Sequence, residues 1–147
     1  MVKKEPKIQN KEALPVKKSE RYVEAIGRRK TSVARVRILG GHGEFRVNEK
    51  DLKQYFVMRR LELAAAAPLQ KLKLADKYSV NAKVNGGGIK AQAEAVRLGL
   101  ARALAVKNPD FQKRLHKFGY LSRDPRMVER KKYGLKKARR APQWAKR

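Results

Sequence analysis

Behind the triplet Gly86, Gly87 and Gly88, the apolar residues Ile89, Ala93, Val96, Leu100 and Leu104 recur at spacings of 4, 3, 4 and 4. That period winds a continuous stripe along a helix from Ile89 to about Val106, with Lys90, Glu94, Arg97 and Arg102 falling off it. An apolar stripe in water has to be covered, so the helix requires a second layer, and the segments before it have the pattern of a sheet. The sequence therefore predicts a compact α/β unit.

Tyr22 to Ile26 and Ser32 to Leu39 are short β-rich runs; in the second, Val33, Arg35 and Arg37 alternate with Ala34, Val36 and Ile38, which places the arginines on one face. Gly40, Gly41 and Gly43 mark a tight connection into Glu44 to Val47. Asn48 and Asp51 are the expected start of a helical turn at Leu52 to Phe56, and a second helical piece from Leu61 to Ala67 is expected to stop at Pro68. A fourth strand fits Tyr78 to Val84. After the long helix, Asn108 and Pro109 begin another, in which Phe111, Leu115 and Phe118 share a face and Gly119 closes the turn.

The ends are different in kind. Residues 1–20 carry six basic and three acidic groups, 21–118 carry 22 and eight, and 119–147 carry 11 and two, for nets of +3, +14 and +9. The first segment has only Ile8, Leu14 and Val16 as larger aliphatics, too few to offset the entropy of ordering it, so it is expected to be a disordered arm. The globular domain is expected over 21–118 and an extended basic tail over 119–147. With a total charge of +26, the partner of such a chain is a polyanion.

Cysteine is absent, which removes disulfide scaffolds and thiolate zinc sites. His42 and His116 lack any metal-ligand spacing, so no metal is expected. The longest apolar stretch, Leu61 to Leu69, is interrupted by Glu62 and is far shorter than the ~20 residues that span a bilayer. A membrane surface would need an apolar helix face left free for lipid, and the core claims that face, so no membrane partner is expected. The start of the chain has neither the apolar run of a secretory signal nor the acid-poor bias of a transit peptide, which predicts a cytoplasmic protein.

Two loops carry candidate chemistry. Arg28, Arg29, Lys30 and Thr31, between the first two strands and beside Arg35 and Arg37, can grip phosphates from several directions; the alternative is a solvated loop. Gly86, Gly87 and Gly88 open a helix and offer backbone N–H groups to an RNA phosphate, or simply permit close packing. Neither a Walker lysine nor a G-x-G-x-x-G spacing is present, so nucleotide hydrolysis is not expected, and no acids are paired for proton transfer, so no catalytic residue is assigned. In the tail, Arg123, Arg126, Arg130, Lys131, Lys132, Lys136, Lys137, Arg139 and Arg140 are too dense for one helix face, and Pro125, Gly134 and Pro142 favour an extended thread. The few scattered aromatics do not form a base-stacking sheet, so binding to the shape and backbone of folded RNA is expected.

From Tyr22 to Arg147, 126 of the 147 residues, the chain resembles the family of the ninth protein of the bacterial small ribosomal subunit. The residues that carry the resemblance are AIGRRKTSVARV from Ala25, PL at Pro68, GGG at Gly86 with QAEA from Gln92, ARAL at Ala101, and LSRDPRMVERKKYGLKKARRAPQWAKR from Leu121. The resemblance implies an α+β two-layer β-β-β-α-β-α domain with helices packed on a four-stranded sheet and a left-handed crossover, followed by the extended basic C-terminal tail. It also implies binding to the 3′ major (head) domain of small-subunit ribosomal RNA beside neighbouring head proteins, with Lys146 and Arg147 reaching peptidyl-site transfer RNA, and no cofactor. Ala91 departs from the family's glycine, and Trp144 with Ala145 from its aromatic and serine. A nonribosomal nucleic-acid compactor would explain the charge equally well, and a hydrolase or nuclease less well.

Overall fold

The computed structural model of the chain describes residues 22–145; the arm expected over 1–20 and the terminal pair Lys146 and Arg147 lie outside them. The strands are β1 (Val23–Arg29), β2 (Ser32–Gly40), β3 (Phe45–Val47), β4 (Lys50–Asp51) and β5 (Tyr78–Asn85). The helices are α1 (Leu52–Tyr55), α2 (Arg59–Leu72), α3 (Ile89–Lys107) and α4 (Asp110–Lys117). They form an α+β domain in which one sheet, ordered β1-β2-β5-β3-β4, is covered on one side by α3 with α2 against it.

Alternation in β2 and β5 decides which side is covered. Ala34, Val36 and Ile38 of β2 and Val80, Ala82 and Val84 of β5 are buried, while Arg35, Arg37, Asn81 and Lys83 point out of the opposite face. β1, β2 and β5 are antiparallel neighbours, whereas β3 runs parallel to β5, so the chain crosses from one to the other through α1 and α2. The two-residue β4 makes the sheet five-stranded rather than four-stranded. It is too short for any alternation to show in the sequence, and it forms because Asn48 and Glu49 turn with φ of +48° and +69°. Asn48 thus builds a turn rather than the helix start expected of it: its side-chain amide donates to the Val84 carbonyl at 3.0 Å and accepts from the Val84 N–H at 2.8 Å.

α3 is buried on two sides, not along one stripe. Ala93, Val96, Leu100 and Leu104 are fully buried, and so are Ala95, Ala101 and Ala103. Small side chains let neighbouring backbones come close, and the closest approach is at Gly27 of β1 and Gly99 of α3. A Cβ on Gly27 would strike the Ala95 carbonyl oxygen and the Gly99 nitrogen. Ile89, expected on the stripe, is 57% exposed. Periodicity fixes the direction of a side chain around the helix axis, but at the first turn the α1–α2 connection, and no strand, lies opposite it.

Pro68 does not end α2, which continues to Leu72. A proline inside a helix loses one hydrogen bond, typically costing ~3 kcal/mol. Burial of Leu61 and Ala65 before it, and of Leu69 and Leu72 after it, offsets that cost and holds both halves against the core. The helix ends at Lys73, in the left-handed region at φ +56°.

Candidate nucleic-acid interface

Two adjoining surfaces gather the residues singled out in the sequence. The first is the uncovered face of the sheet. The strand register sets Arg35 opposite Lys83 and Arg37 opposite Asn81, around a hollow of about 140 Å³. Like charges directly opposite each other on a sheet repel. Arg37 is relieved by Glu24, whose carboxylate accepts from its Nε at 2.7 Å, and by the Tyr22 ring 4.7 Å below its guanidinium; the Glu24 bond and charge raise its pKa further. Among the described residues neither Arg35 nor Lys83 has an acidic partner. An anion placed between them would remove the repulsion.

The second surface lies at the end of the β1–β2 hairpin. The expected loop over Gly27 to Ser32 is a two-residue turn, Lys30 and Thr31, because Arg28 and Arg29 remain paired in the strand ladder with Val33 and Ser32. Lys30 takes φ +50° at the tip. The turn leans on the Gly86 to Gly88 loop: the buried Ser32 Oγ donates to the Gly86 carbonyl at 2.8 Å. A Cβ on Gly86 would press on the Thr31 carbonyl, and one on Gly87 would strike Ser32 Oγ. Gly86 and Gly87, both with positive φ, thus let the two loops pack closely, while Gly88 starts α3 in open space.

Arg28, Lys30 and Thr31 are exposed here, and Lys90 adds a cation at the first turn of α3. Arg29 is turned inward. Its side chain is 12% exposed, its Nε donates to Glu94 at 2.5 Å, and its Nη2 lies 2.9 Å from the Asp124 carboxylate. Its Nη1 donates to the backbone carbonyls of Asp124 and Arg126, at 3.3 and 2.6 Å. With every arm of the fork engaged, Arg29 clasps the start of the tail to β1 and α3. The Asp124 carboxyl is held below its usual range chiefly by the Arg126 N–H bonded to it, and then by the charges of Arg29, Arg126 and Lys30.

Beyond the clasp the described tail has no helix or strand and is almost wholly exposed. Arg123, Arg126, Arg130 and Lys131 project into solvent. Glu129 gathers Lys132 at 3.0 Å and Arg139 at 2.8 Å, and those two bonds lower its pKa. The Lys136 N–H donates to the Arg140 carbonyl at 2.8 Å, closing a small loop over residues 136–140 that also holds Lys137. Met127, Val128, Tyr133 and Trp144 stand exposed along the tail. Lys83 and Lys90 were missed in the sequence; Lys83 alternates with Ala82 and Val84 as Arg35 does with Ala34 and Val36, and that signal could have found it.

Residues 27–147 match the family model described as ribosomal protein S9/S16. A small ribosomal subunit protein uS9 from Amoebophilus asiaticus is 50% identical over 125 residues, covering 85% of this chain and 98% of that one. Its counterpart from Cytophaga hutchinsonii is 52% identical over 123 residues, covering 84% and 96%. The one from Mycobacterium avium is 48% identical over 128 residues, covering 87% and 77%.

Proposed function

The chain belongs to the ribosomal protein S9/S16 family, and from that premise we propose that it holds the head domain of small-subunit ribosomal RNA by its backbone while its tail runs on to peptidyl-site transfer RNA. The coarser role follows from the family: the protein is a structural constituent of the small ribosomal subunit, works in the cytoplasmic ribosome and binds ribosomal RNA. The family is one of structural proteins rather than enzymes. Among the described residues no helix is long and apolar enough to cross a membrane.

The observation that carries the proposal is the set of exposed cations on the two adjoining surfaces, Arg28, Lys30, Arg35 and Lys83, none of which forms an ion pair among the described residues. Point charges spread over a strand face and a turn suit contacts to backbone phosphates rather than to base edges. The tail cations Arg123, Arg126, Arg130, Lys131, Lys136, Lys137 and Arg140 extend the same chemistry away from the domain. Lys132 and Arg139 join them by exchanging Glu129 for phosphate. Lys146 and Arg147 are the residues proposed to meet transfer RNA, and the neighbouring head proteins are the proposed protein partners.

The test is the salt dependence of binding to in vitro transcribed small-subunit ribosomal RNA, because each lost phosphate contact lowers the log–log slope by about 0.7 to 0.9. Replacing Arg28 and Lys30 by Ala is expected to lower it by about 1.4 to 1.8, and adding Arg29→Ala to change it little further. An unchanged slope in the double variant overturns the backbone reading. Deleting Lys146 and Arg147 is expected to leave assembly intact and weaken peptidyl-site transfer RNA binding by about 0.5 to 2 kcal/mol. Equal transfer RNA affinity with and without the pair overturns the tail's part.

A further inference from the structure

Three of the most exposed apolar side chains in the folded part of the molecule stand together. Val57 is 88% exposed, Met58 63% and Ile89 57%, and with Tyr55 and Leu61 they line a groove of about 320 Å³ between the α1–α2 connection and the start of α3. Single exposed apolar residues are ordinary on a protein surface, whereas a cluster around a concavity marks a surface that is covered in the working state.

The floor of the groove is held in place. The Tyr55 hydroxyl donates to Gln92 Oε1 at 2.8 Å, and Gln92 Nε2 donates to the Gly86 carbonyl at 3.1 Å. Asn48 Nδ2 reaches the same hydroxyl at 3.4 Å, and the Tyr55 ring packs edge-on against the buried Phe56, 5.0 Å between centroids. The groove thus shares a hydrogen-bond chain with the glycine loop on which the hairpin turn rests. It opens beside the surface proposed above to grip RNA.

The rim indicates the occupant. Arg60 and Lys90 stand at the mouth with no acidic partner among the described residues, and the nearby Glu62 lies 3.7 Å from Arg59. An apolar pocket edged by cations suits a planar apolar group carried on an anionic chain. A nucleotide has that form, with a base that stacks on either face and a phosphate on each side of it. A plug from a protein partner would fill the floor but brings no obligatory negative charge to the rim. We infer that this groove seats one unstacked base of ribosomal RNA, between Met58 and Ile89, with Arg60 and Lys90 on the flanking phosphates. The inference rests on the reading that the chain binds ribosomal RNA, and it adds an apolar contact to a surface otherwise made of charge.

The two kinds of contact separate experimentally, because an apolar contact releases no counterions. Full-length protein carrying Met58→Ala and Ile89→Ala, both at exposed side chains, is expected to bind small-subunit ribosomal RNA about tenfold more weakly with an unchanged salt slope. The Arg28 and Lys30 double variant is expected to do the opposite, losing slope while keeping the groove. If that variant keeps its slope, the failure belongs to the backbone reading and not to the groove. A diazirine-bearing amino acid in place of Val57, irradiated in assembled small subunits, is expected to crosslink to one ribosomal RNA nucleotide. Unchanged affinity of the Met58 and Ile89 variant, or a crosslink that goes to another protein or to this chain's own residues, overturns the proposal.

Discussion

The folded part up to Leu121 and the tail from Ser122 treat the same amino-acid types in opposite ways. In the first, Ile38, Val96, Leu100 and Leu104 are fully buried and most cations lie on surfaces around them. In the second, Val128, Tyr133 and Trp144 are almost completely exposed, and order comes from Arg29 on Asp124 and from Glu129 on Lys132 and Arg139. Burial organises the domain by itself, whereas ion pairs in water contribute little each and weaken in salt. The domain carries its own core, and the described tail has none.

The largest expected break in that contrast is in the core. Leu100→Ala removes a fully buried side chain and is expected to cost about 2 to 5 kcal/mol in chemical denaturation. The same change at Leu135 in the tail is expected to cost less than ~0.5 kcal/mol. Equal losses at the two positions would erase the distinction. Gly27→Ala is next, expected to cost about 1 to 3 kcal/mol because its Cβ meets backbone atoms of α3 that cannot rotate away. A loss below ~0.5 kcal/mol would mean that β1 and α3 separate freely.

Arg29 is where the two regions meet, so Arg29→Met sharpens the comparison. It leaves Glu94 half-buried and unpaired, and is expected to cost the domain about 1 to 2 kcal/mol. Trypsin is expected to cut after Arg126 and Arg130 several-fold faster, because the tail loses its anchor while the core stays folded. Unchanged cleavage would show that the clasp does not hold the tail. The smallest effect is in pH. Asp124 and Glu129 have depressed pKa values when paired, so what they contribute is present above the ordinary carboxyl range of about 4 and is lost as pH falls through their lower, paired values. The Arg126 amide resonance is expected to hold steady from pH 8 to 5 and to shift only in stronger acid. In Asp124→Asn that acid-dependent shift should be missing; if it persists, another group holds the tail.

Much of the candidate interface's layout was legible in the chain. The alternation in Ser32 to Leu39 put Arg35 and Arg37 outside, and the basic run over 119–147 predicted a tail without a core. Lys83 obeys the same period. Arg29 could not be told from Arg28 and Lys30, because its partners lie 65 and 95 residues away and its neighbours in sequence say nothing of them.

The sequence by itself determined the periods, and with them the longer strands, the long helix, one apolar stripe along it, and a charge that calls for a polyanion. Those properties arise between residues a few positions apart, where backbone geometry dictates which way each side chain points. Only the tertiary structure decided what stands opposite. It left Ile89 over a groove instead of a strand, let α2 run through Pro68 on the strength of its buried neighbours, and brought Gly27 against Gly99. It turned one cation of three, Arg29, inward to hold the tail. Each of these depends on elements distant along the chain meeting at one height in the packed layers, and no local period encodes that meeting.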